Sequence, residues 1–305
     1  MTEPVQTAEP AVVEWPTALL AAVIYGLWLA LTWFHAALPW WIVAPLGGWL
    51  VAWHSSLQHE IVHGHFTPWQ GLNRAIAYPP LMLWMPYERY RATHLTHHRN
   101  QDLTLAMVDP ESRYWRPGDL AALGPIGRAL VRAEMPMLGR VTVGPVWVSL
   151  RFMWCEARAI AQGDMQIARA WLRHLPGAAA VLAWVVLACG MNPFAYIVLF
   201  VLPGTALMLI RSFAEHRAVL AVEQRTVVVE NAPVLGLLYL NNNLHATHHL
   251  VPDLAWYRLP RFHRQTRAGL QKQGVVFYRG YAEIFRRFLL RPHDRLIHPF
   301  QTPAA

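Results

Sequence analysis

The sequence has little charge and almost no lysine. Only 14% of its 305 residues are charged, 55% are hydrophobic, and Lys272 is the only lysine. This composition is too apolar for an ordinary soluble protein and favours a membrane protein. Arginine carries almost all of the positive charge behind the formal net charge of +8. The arginines are scattered and no nucleic-acid-binding motif accompanies them, so we expect anionic lipid headgroups or an acidic partner and no nucleic acid.

Cysteine is also scarce. The two cysteines, Cys155 and Cys189, lie far apart in apolar stretches and form neither a C-x-x-C motif nor a disulfide framework. We predict that both are buried structural thiols. A metal site in this chain would therefore draw its ligands from other residue types.

Positive charge is absent from the first 73 residues, and this absence bears on membrane topology. Of the 26 lysines and arginines, thirteen lie in residues 74–173 and thirteen in residues 211–295. Positively charged segments stay on the cytoplasmic side of a membrane, so the sequence predicts a cytoplasmic location for both regions and for the N-terminus. The expected location is the bacterial cytoplasmic membrane, with the termini and any metal site on its cytoplasmic side.

Long apolar runs predict four membrane spans in two hairpins. Each hairpin has a short uncharged turn. We predict a flexible N-terminal tail over residues 1–15, a single domain over residues 16–290 and a C-terminal tail over residues 291–305. The predicted spans cover approximately residues 16–34, 40–55, 172–189 and 194–210.

Histidine, in contrast, occurs in clusters. One cluster has histidines at positions i, i+3 and i+4, a second cluster repeats that spacing much later in the chain, and a pair four residues apart precedes both. On a helix, this spacing places the imidazoles on one face. The clusters are His94, His97 and His98; His245, His248 and His249; and His59 with His63.

Eight clustered imidazoles exceed what one zinc ion needs, because structural zinc takes four ligands and catalytic zinc usually three protein ligands. The sequence therefore indicates two metal ions in a nitrogen-rich site. Imidazole suits iron, copper and zinc, so ligand type alone does not choose the metal. The full pattern of soluble di-iron bundles, a Glu from each of two helices plus a Glu-x-x-His motif from each of two others, is absent. We predict that Glu60, Asp102 and Asp253 orient the imidazoles.

A competing motif overlaps the first histidine pair. Residues His59-Glu60-Ile61-Val62-His63 match H-E-x-x-H, in which two histidines bind zinc and the glutamate is the general base of a metalloprotease. That interpretation leaves both histidine triplets without a role. A membrane zinc metalloprotease is therefore a distant alternative.

The three clusters resemble the histidine boxes of the integral-membrane fatty acid desaturases and of the related hydroxylases and ketolases. In that family the boxes read H-x(3–4)-H, H-x(2–3)-H-H and H-x(2–3)-H-H, and they follow the spans in the order seen here. The resemblance covers about residues 16–265. It implies an all-α membrane protein whose four transmembrane helices form two hairpins, with a cytosolic helical cap that holds a histidine-rich di-metal site. It also implies a ninth ligand just after the fourth span, where His216 lies.

The resemblance further implies a non-haem di-iron enzyme that uses O2 as co-substrate and takes electrons from a separate ferredoxin-like or cytochrome-type donor. The expected reaction introduces a C=C bond into an acyl chain held on a lipid, on CoA or on a carrier protein. A lipid or carotenoid hydroxylase or ketolase with the same iron site is the alternative. We predict structural rather than ligand roles for the remaining histidines, which are His35, His54, His65, His174, His263, His293 and His298.

Overall fold

The computed structural model describes residues 12–99 and 102–301, and most of these residues are helical. Most of the predicted N-terminal tail, residues 1–11, lies outside the described residues. In chain order the α-helices are α1 (Trp15–Trp33), α2 (Trp40–Val62), α3 (Gln70–Ala77), α4 (Tyr87–Arg99), α5 (Pro117–Ala122), α6 (Pro125–Ala133), α7 (Met137–Thr142), α8 (Gly144–Ala161), α9 (Met165–Ala183), α10 (Pro193–Tyr196), α11 (Leu202–Glu215), α12 (Pro233–Leu238), α13 (His245–Leu250), α14 (Leu259–Lys272) and α15 (Tyr281–Phe288).

Shorter elements complete the described chain. Two π-helical turns continue long helices, one after α9 and one between α10 and α11. Three 3-10 turns and two short strands, β1 and β2, lie between the helices. The π turns are Trp184–Ala188 and Ile197–Val201, the 3-10 turns are His35–Ala37, Val222–Gln224 and Pro299–Gln301, and the strands are β1 (Val227–Val229) and β2 (Val276–Tyr278).

Within the described residues, three helical stretches are long and apolar enough to cross a membrane: Trp15–Trp33, Met165–Ala188 and Pro193–Glu215. They cover the first, third and fourth predicted spans. The second predicted span lies in α2, which has 23 residues but is not among these stretches. Its second half carries polar side chains, including His54 and Gln58, that are buried. The four-span topology, its two hairpins and the cytosolic cap therefore stay predictions.

The described chain divides into two compact units. Residues 12–92 and 145–208 form the first, which we call the span unit because it contains α1, α2 and α9. Residues 93–99, 102–144 and 209–301 form the second, which we call the histidine unit because it contains both histidine triplets.

The span unit has an apolar core in which helix backbones approach closely at two glycines of α2. A Cβ atom added to Gly47 would lie 2.7 Å from the Phe200 ring, and one added to Gly48 would lie 2.6 Å from Cβ of Pro203. Only a residue without a side chain fits such contacts, as is common where membrane helices pack together. The buried core residues are Trp28, Leu31, Val43, Leu50, Val51, Leu81, Val181, Val185, Met191, Tyr196, Phe200 and Val201.

Buried polar side chains in the span unit join the helices by hydrogen bonds. Trp28 Nε1 donates to the Tyr196 hydroxyl at 3.1 Å, and that hydroxyl donates to the Leu81 carbonyl at 2.8 Å. Trp184 Nε1 donates to Thr32 Oγ1 at 2.9 Å. Each bond satisfies a donor that would otherwise be costly to bury.

The prediction that both cysteines are buried is wrong. Cys155 is exposed on α8 and Cys189 is half-buried after the first π turn. Apolar neighbours in sequence did not predict burial, because an apolar helix face of a membrane protein can point outward and remain uncovered by protein.

The histidine unit contains a two-stranded parallel sheet that the all-α prediction did not include. Strands β1 and β2 pair with Val227 opposite Val276 and Val229 opposite Tyr278. All three valines of β1 are buried, and β-branched residues favour the extended conformation. Both strands are only three residues long, so the fold remains mostly helical.

The end of the chain is also fastened within the histidine unit. Residues 291–301 belong to the segment predicted as a C-terminal tail, and residues 302–305 lie outside the described chain. The backbone of Trp115 donates to the Leu296 carbonyl at 3.1 Å. The Tyr114 hydroxyl donates to Asp294 Oδ2 at 2.7 Å, and Arg217 lies 3.3 Å from Asp294 Oδ1.

Candidate metal centre

Helix α4 carries the second histidine box near its C-terminal end. The ring centroids of His94 and His98 are 4.6 Å apart, and those of His97 and His98 are 5.5 Å apart. Nε2 of His98 lies 3.0 Å from Nε2 of His94. His94 and His97 are buried. The helical spacing therefore presents the three rings together, as the sequence predicts.

Helix α13 carries the third histidine box and is positioned by the residues before it. Leu240 and Asn241 have φ angles of 50° and 60°, a left-handed conformation that asparagine tolerates better than most residues. Next to them, the Asn243 carbonyl accepts the Val229 amide of β1 at 2.8 Å. This contact with β1 fixes the start of α13. On that helix, Nε2 of His249 lies 3.0 Å from Nε2 of His245.

His216 follows α11 directly and lies beside the third box. Its Nε2 atom is 2.8 Å from Nε2 of His245. Its ring centroid is 4.7 Å from that of His97 and 5.3 Å from that of His249. The residue that the resemblance implied as a ninth ligand is therefore among the box histidines in space.

Seven histidines of this unit form two groups. Within each group, one ring nitrogen of every histidine lies within 4.8 Å of those of the other members. Neither group belongs to one helix, because α4 and α13 each contribute to both. The first group contains His94, His98 and His248, and the second contains His97, His216, His245 and His249.

The Nδ1 atoms of four group histidines face oxygen atoms, and this orients the opposite edge of each ring. Nδ1 of His94 lies 2.9 Å from Glu111 Oε1, and Nδ1 of His97 lies 2.9 Å from Asp109 Oδ1. His216 Nδ1 lies 3.3 Å from the Arg225 carbonyl. A carboxylate or carbonyl oxygen that accepts a hydrogen bond from Nδ1–H keeps the ring proton on Nδ1 and leaves the Nε2 lone pair for a metal.

His245 has the same arrangement, with Asn242 Oδ1 at 3.2 Å and Glu215 Oε1 at 3.3 Å from its Nδ1. Arg211 Nε in turn donates to Glu215 Oε1 at 2.6 Å. The carboxylate is therefore itself held in place. This contact places a buried negative charge next to the second group.

The donor atoms fit metal ions. Nε2 of His97 is buried and makes no hydrogen bond within the described chain, and a buried polar atom in that state is costly unless it has another partner. It belongs to a group of four imidazoles whose nitrogens converge. Such nitrogen-rich sets suit iron, copper or zinc. Each group can therefore hold a metal ion.

The electrostatic environment favours neutral imidazoles at three members of the second group. Burial and then the neighbouring imidazoles hold the pKa of His245 and His249 well below its ordinary value, and burial and His97 do the same for the pKa of His216. Neutral imidazole is the form that binds metal.

The carboxylates beside the rings are ionised. Burial alone would raise the pKa of Glu111, but the nearby His94 and His97 lower it to about 2. Burial likewise opposes ionisation of Asp109, and its hydrogen bond with His97 holds the pKa below its usual value. At the fourth member of the second group, His97, burial lowers the pKa, but Glu111 and Asp109 outweigh burial and raise it. The site therefore combines three neutral imidazoles with nearby fixed negative charge.

Three of the orienting carboxylates were not predicted. The predicted ones are Glu60, Asp102 and Asp253, whereas Asp109, Glu111 and Glu215 lie at the Nδ1 atoms of His97, His94 and His245. Of the predicted three, Glu60 Oε1 lies 3.8 Å from Nδ1 of its neighbour His59. Glu215 directly precedes His216, so proximity in sequence could have indicated it. Asp109 and Glu111 follow the second box by more than ten residues.

The first histidine box lies in the span unit, at the end of α2. The ring centroids of His59 and His63 are 4.9 Å apart, and both residues are buried. Their spacing of four residues places both rings on one side of the helix end.

Other histidines of the span unit make structural hydrogen bonds. His54 Nε2 lies 3.0 Å from the Tyr25 hydroxyl, and His174 Nε2 lies 2.7 Å from the Leu83 carbonyl. His65 Nδ1 lies 2.7 Å from Glu14 Oε1. His35 Nδ1 lies 2.7 Å from the Thr32 carbonyl.

Histidines of the histidine unit that lie outside the two groups also make structural hydrogen bonds. His263 contacts Thr247 and Glu230, and His293 contacts Tyr278 and Asp294. These residues belong to neither group of potential ligands.

Comparison with known families places this site. The model of the family described as fatty acid desaturase matches residues 36–281. The chain belongs to the fatty acid desaturase family. The matched region of this desaturase-family protein contains all three histidine boxes and His216, which confirms the family resemblance. Its helical, histidine-rich architecture and apolar helices are those of a membrane-associated oxidoreductase of lipid metabolism. A search of curated proteins finds no significant match to the chain.

Proposed function

We propose that this protein is a membrane-bound di-iron desaturase that uses O2 to introduce a C=C bond into an acyl chain. Its metal ligands would be the seven histidines of the two groups together with His59 and His63 of the first histidine box. Two bound irons would supply the O2-derived oxidant that an unactivated C–H bond requires.

The observation that carries this proposal is the pair of histidine groups. Three or four imidazoles converge in each, and carboxylates or carbonyls fix the orientation of four of the rings. A zinc metalloprotease built on His59, Glu60 and His63 needs only one further zinc ligand and would leave most of these seven residues without a role. The match to the desaturase family supports the same conclusion.

The protein side chains have three tasks in this reaction. The imidazoles bind the metals, and Asp109, Glu111 and Glu215 hold the rings and offset metal charge. Burial of most of the ligands excludes bulk water, which strengthens the electrostatic interactions within the site. Placement of the acyl carbon relative to the site then decides the product, because misplacement by about 1 Å can alter a reaction strongly.

The balanced reaction requires an electron donor. Two hydrogens leave adjacent methylene carbons of the acyl chain, and O2 is reduced to two waters with two further electrons and two protons. We propose a ferredoxin-like or cytochrome-type protein as the source of those electrons. The acyl chain would be held on a lipid, on CoA or on a carrier protein.

The location is proposed on the basis of charge. The absence of lysine and arginine from residues 1–73 and their abundance in residues 74–173 and 211–295 support four spans in the bacterial cytoplasmic membrane. The termini and the metal centre would then face the cytoplasm. Reporter fusions at residues 37, 190 and 305 test this topology, and a cytoplasmic signal from residue 37 would contradict it.

Expression in a host without such enzymes, together with a ferredoxin and its reductase, tests the function. Membrane lipids are profiled by mass spectrometry and the purified protein is analysed for metals. We expect two irons per chain and acyl products that lack two hydrogens. His35→Ala serves as a control, since His35 belongs to neither histidine group.

Each alternative gives a different result. Products that gain one oxygen atom would replace the desaturase with a lipid or carotenoid hydroxylase or ketolase. A single zinc ion per chain together with peptide cleavage would favour the metalloprotease. The di-iron proposal would be overturned if purified wild-type protein bound no iron when Fe²⁺ was supplied anaerobically.

A further inference from the structure

The C-terminal segment 292–300 lies beyond the region that matches the desaturase family, which ends at residue 281. It carries a fully buried histidine, His298. Nε2 of His298 lies 2.9 Å from Oγ1 of Thr104, a residue 194 positions earlier in the chain. The segment therefore contacts the loop that follows the second histidine box.

The ring of His298 is held in one orientation. The backbone N–H of Phe300 donates to Nδ1 of His298 at 3.2 Å, so Nδ1 is the acceptor and Nε2 carries the proton. His298 then donates to Thr104 Oγ1. The Phe300 ring stacks on that of His298 with centroids 5.6 Å apart, and the Arg225 guanidinium lies 5.0 Å from the Phe300 centroid. These contacts oppose rotation of the imidazole.

Thr104 has an unusual backbone conformation. Its φ angle is 71°, a left-handed value that is unfavourable for a β-branched residue. Its backbone N–H donates to Asp109 Oδ2 at 2.8 Å, and its carbonyl accepts the Ser112 hydroxyl at 2.6 Å. Together with His298, these partners hold Thr104 in a conformation that it would not adopt alone.

Asp109 connects this loop to the metal centre. Its Oδ1 atom accepts from Nδ1 of His97 at 2.9 Å and from the Glu111 backbone N–H at 2.9 Å. Asp109, Thr104 and His97 are all buried. Three consecutive hydrogen bonds thus lead from His298 through Thr104 and Asp109 to His97.

We propose that His298 is a positioning residue for the metal ligand His97. By fixing Thr104, it holds the backbone N–H that orients the Asp109 carboxylate, and that carboxylate aims Nε2 of His97 into the second histidine group. The inference depends on the proposed function, since it requires that this group holds a metal. It assigns a role in the metal centre to a segment outside the family-matched region.

The C-terminal segment 292–300 makes other hydrogen bonds, so a variant of His298 can test the proposal without detaching the segment. Leu296 bonds to the Trp115 backbone, and Asp294 bonds to Tyr114 and Arg217. Loss of the His298 side chain should therefore loosen Thr104 while the segment stays attached.

The experiment compares Fe²⁺ release from the full-length, iron-loaded protein to a ferrous chelator under anaerobic conditions. Changes in residues that orient a ligand typically weaken metal binding about 10–100-fold, so we expect Asp109→Asn within that range and His298→Ala near its lower end, with one of the two irons released about tenfold faster. His298→Gln should restore slow release, because its side-chain N–H can donate to Thr104. Arg295→Ala, a change at an exposed position of the same segment, should match the wild type.

A second measurement does not depend on iron. In the metal-free protein, amide hydrogen exchange at residues 102–112 should be faster in His298→Ala than in Arg295→Ala. Wild-type protein that binds two irons, with unchanged release and unchanged exchange in His298→Ala, would overturn this inference alone. Wild-type protein that binds no iron would contradict the proposed function, whereas the exchange result would still report whether His298 holds the loop. Equal acceleration in His298→Ala and His298→Gln would also contradict the proposed hydrogen bond.

Discussion

The interiors of the two units are built differently. The apolar core of the span unit packs apolar side chains and close helix backbones, and bonds such as Trp28–Tyr196 satisfy the polar groups there. The histidine unit buries charged and ionisable residues, including Arg211, Asp109 and Arg225. Many of these interact with one another or with backbone carbonyls.

This difference determines which substitutions should destabilise each unit. In an apolar interior, a substitution lowers the free energy of unfolding by an amount that grows with the cavity or the steric overlap that it creates. A buried charge that loses its partner also lowers the free energy of unfolding, even when the substitution does not change side-chain volume. Substitutions that conserve shape but remove a charge should therefore affect the histidine unit strongly, whereas the apolar core of the span unit should respond mainly to changes in shape.

The largest expected effect concerns the ligands themselves. The double variant His97→Ala/His98→Ala removes one imidazole from each histidine group, so metal content and product formation should fall to background. Helix content by circular dichroism should remain, because neither residue is in the apolar core of the span unit. Lipid products at wild-type level from this variant would contradict the assignment of the two groups.

The next effect concerns Asp294→Asn, which keeps the shape and removes a charge. Asp294 lies 3.5 Å from Arg113 and 3.3 Å from Arg217. Loss of the partner of a mostly buried cation costs about 3–5 kcal/mol. We expect a correspondingly lower free energy of unfolding of the histidine unit, measured by native-state hydrogen exchange.

The same residue predicts a pH dependence. Burial opposes ionisation of Asp294, but His293 and Arg113 outweigh it and hold its pKa well below the ordinary value. The resulting stability is complete above the unfolded-state pKa of about 4 and declines as the pH falls below it. Asp294→Asn should flatten this decline, whereas Asp119→Asn, which removes an exposed ion pair, should change it much less, because solvent screens that pair. An identical decline in both variants would contradict the role of Asp294.

A shape change should affect the span unit by a smaller amount. Gly48→Ala and Gly26→Ala gain the same helix propensity, up to about 1 kcal/mol. The added methyl group meets Pro203 at 2.6 Å in the first case and nothing within 4 Å in the second. Gly48→Ala should therefore be less stable than Gly26→Ala by about 1–3 kcal/mol, measured by thermal unfolding in detergent. Equal stability would show that α2 can shift at no cost.

The smallest effect should come from a single buried hydrogen bond. Trp28→Phe removes the Nε1 donor to Tyr196 and should cost about 1 kcal/mol. Trp41→Phe changes an exposed tryptophan and should cost less. Thermal unfolding under the same conditions compares the two. A loss of several kcal/mol in Trp28→Phe would mean that polar contacts dominate the span unit as well.

The sequence predicted the elements that follow a regular period. The first span was predicted to begin at residue 16, and α1 begins at Trp15. The i, i+3, i+4 spacing correctly placed the rings of each box on one face, because helix geometry relates spacing to direction.

Other features depend on contacts that sequence does not encode locally. Asp109 reaches His97 through a loop whose path is set by Thr104 in a left-handed conformation, and no periodic pattern predicts such a path. Hydropathy predicted that the second span ends near residue 55, whereas α2 continues to Val62. Hydropathy does not reveal the last two turns, because residues such as Gln58 and His59 are polar although they are buried. Strand β1 was missed because three valines are too few to show a period.

The division of each box helix between the two groups has a consequence for assembly of the centre. In α4, His94 and His98 belong to one group and His97 to the other; in α13, His248 belongs to the first and His245 to the second. A metal ion that enters either group draws the same two helices together and so arranges ligands of the other group in advance. The free-energy cost of ordering α4 and α13 then falls mainly on the binding of the first ion, and the second ion binds to helices that are already ordered. Metal uptake should therefore be positively cooperative, with singly loaded protein rare at every point of a titration.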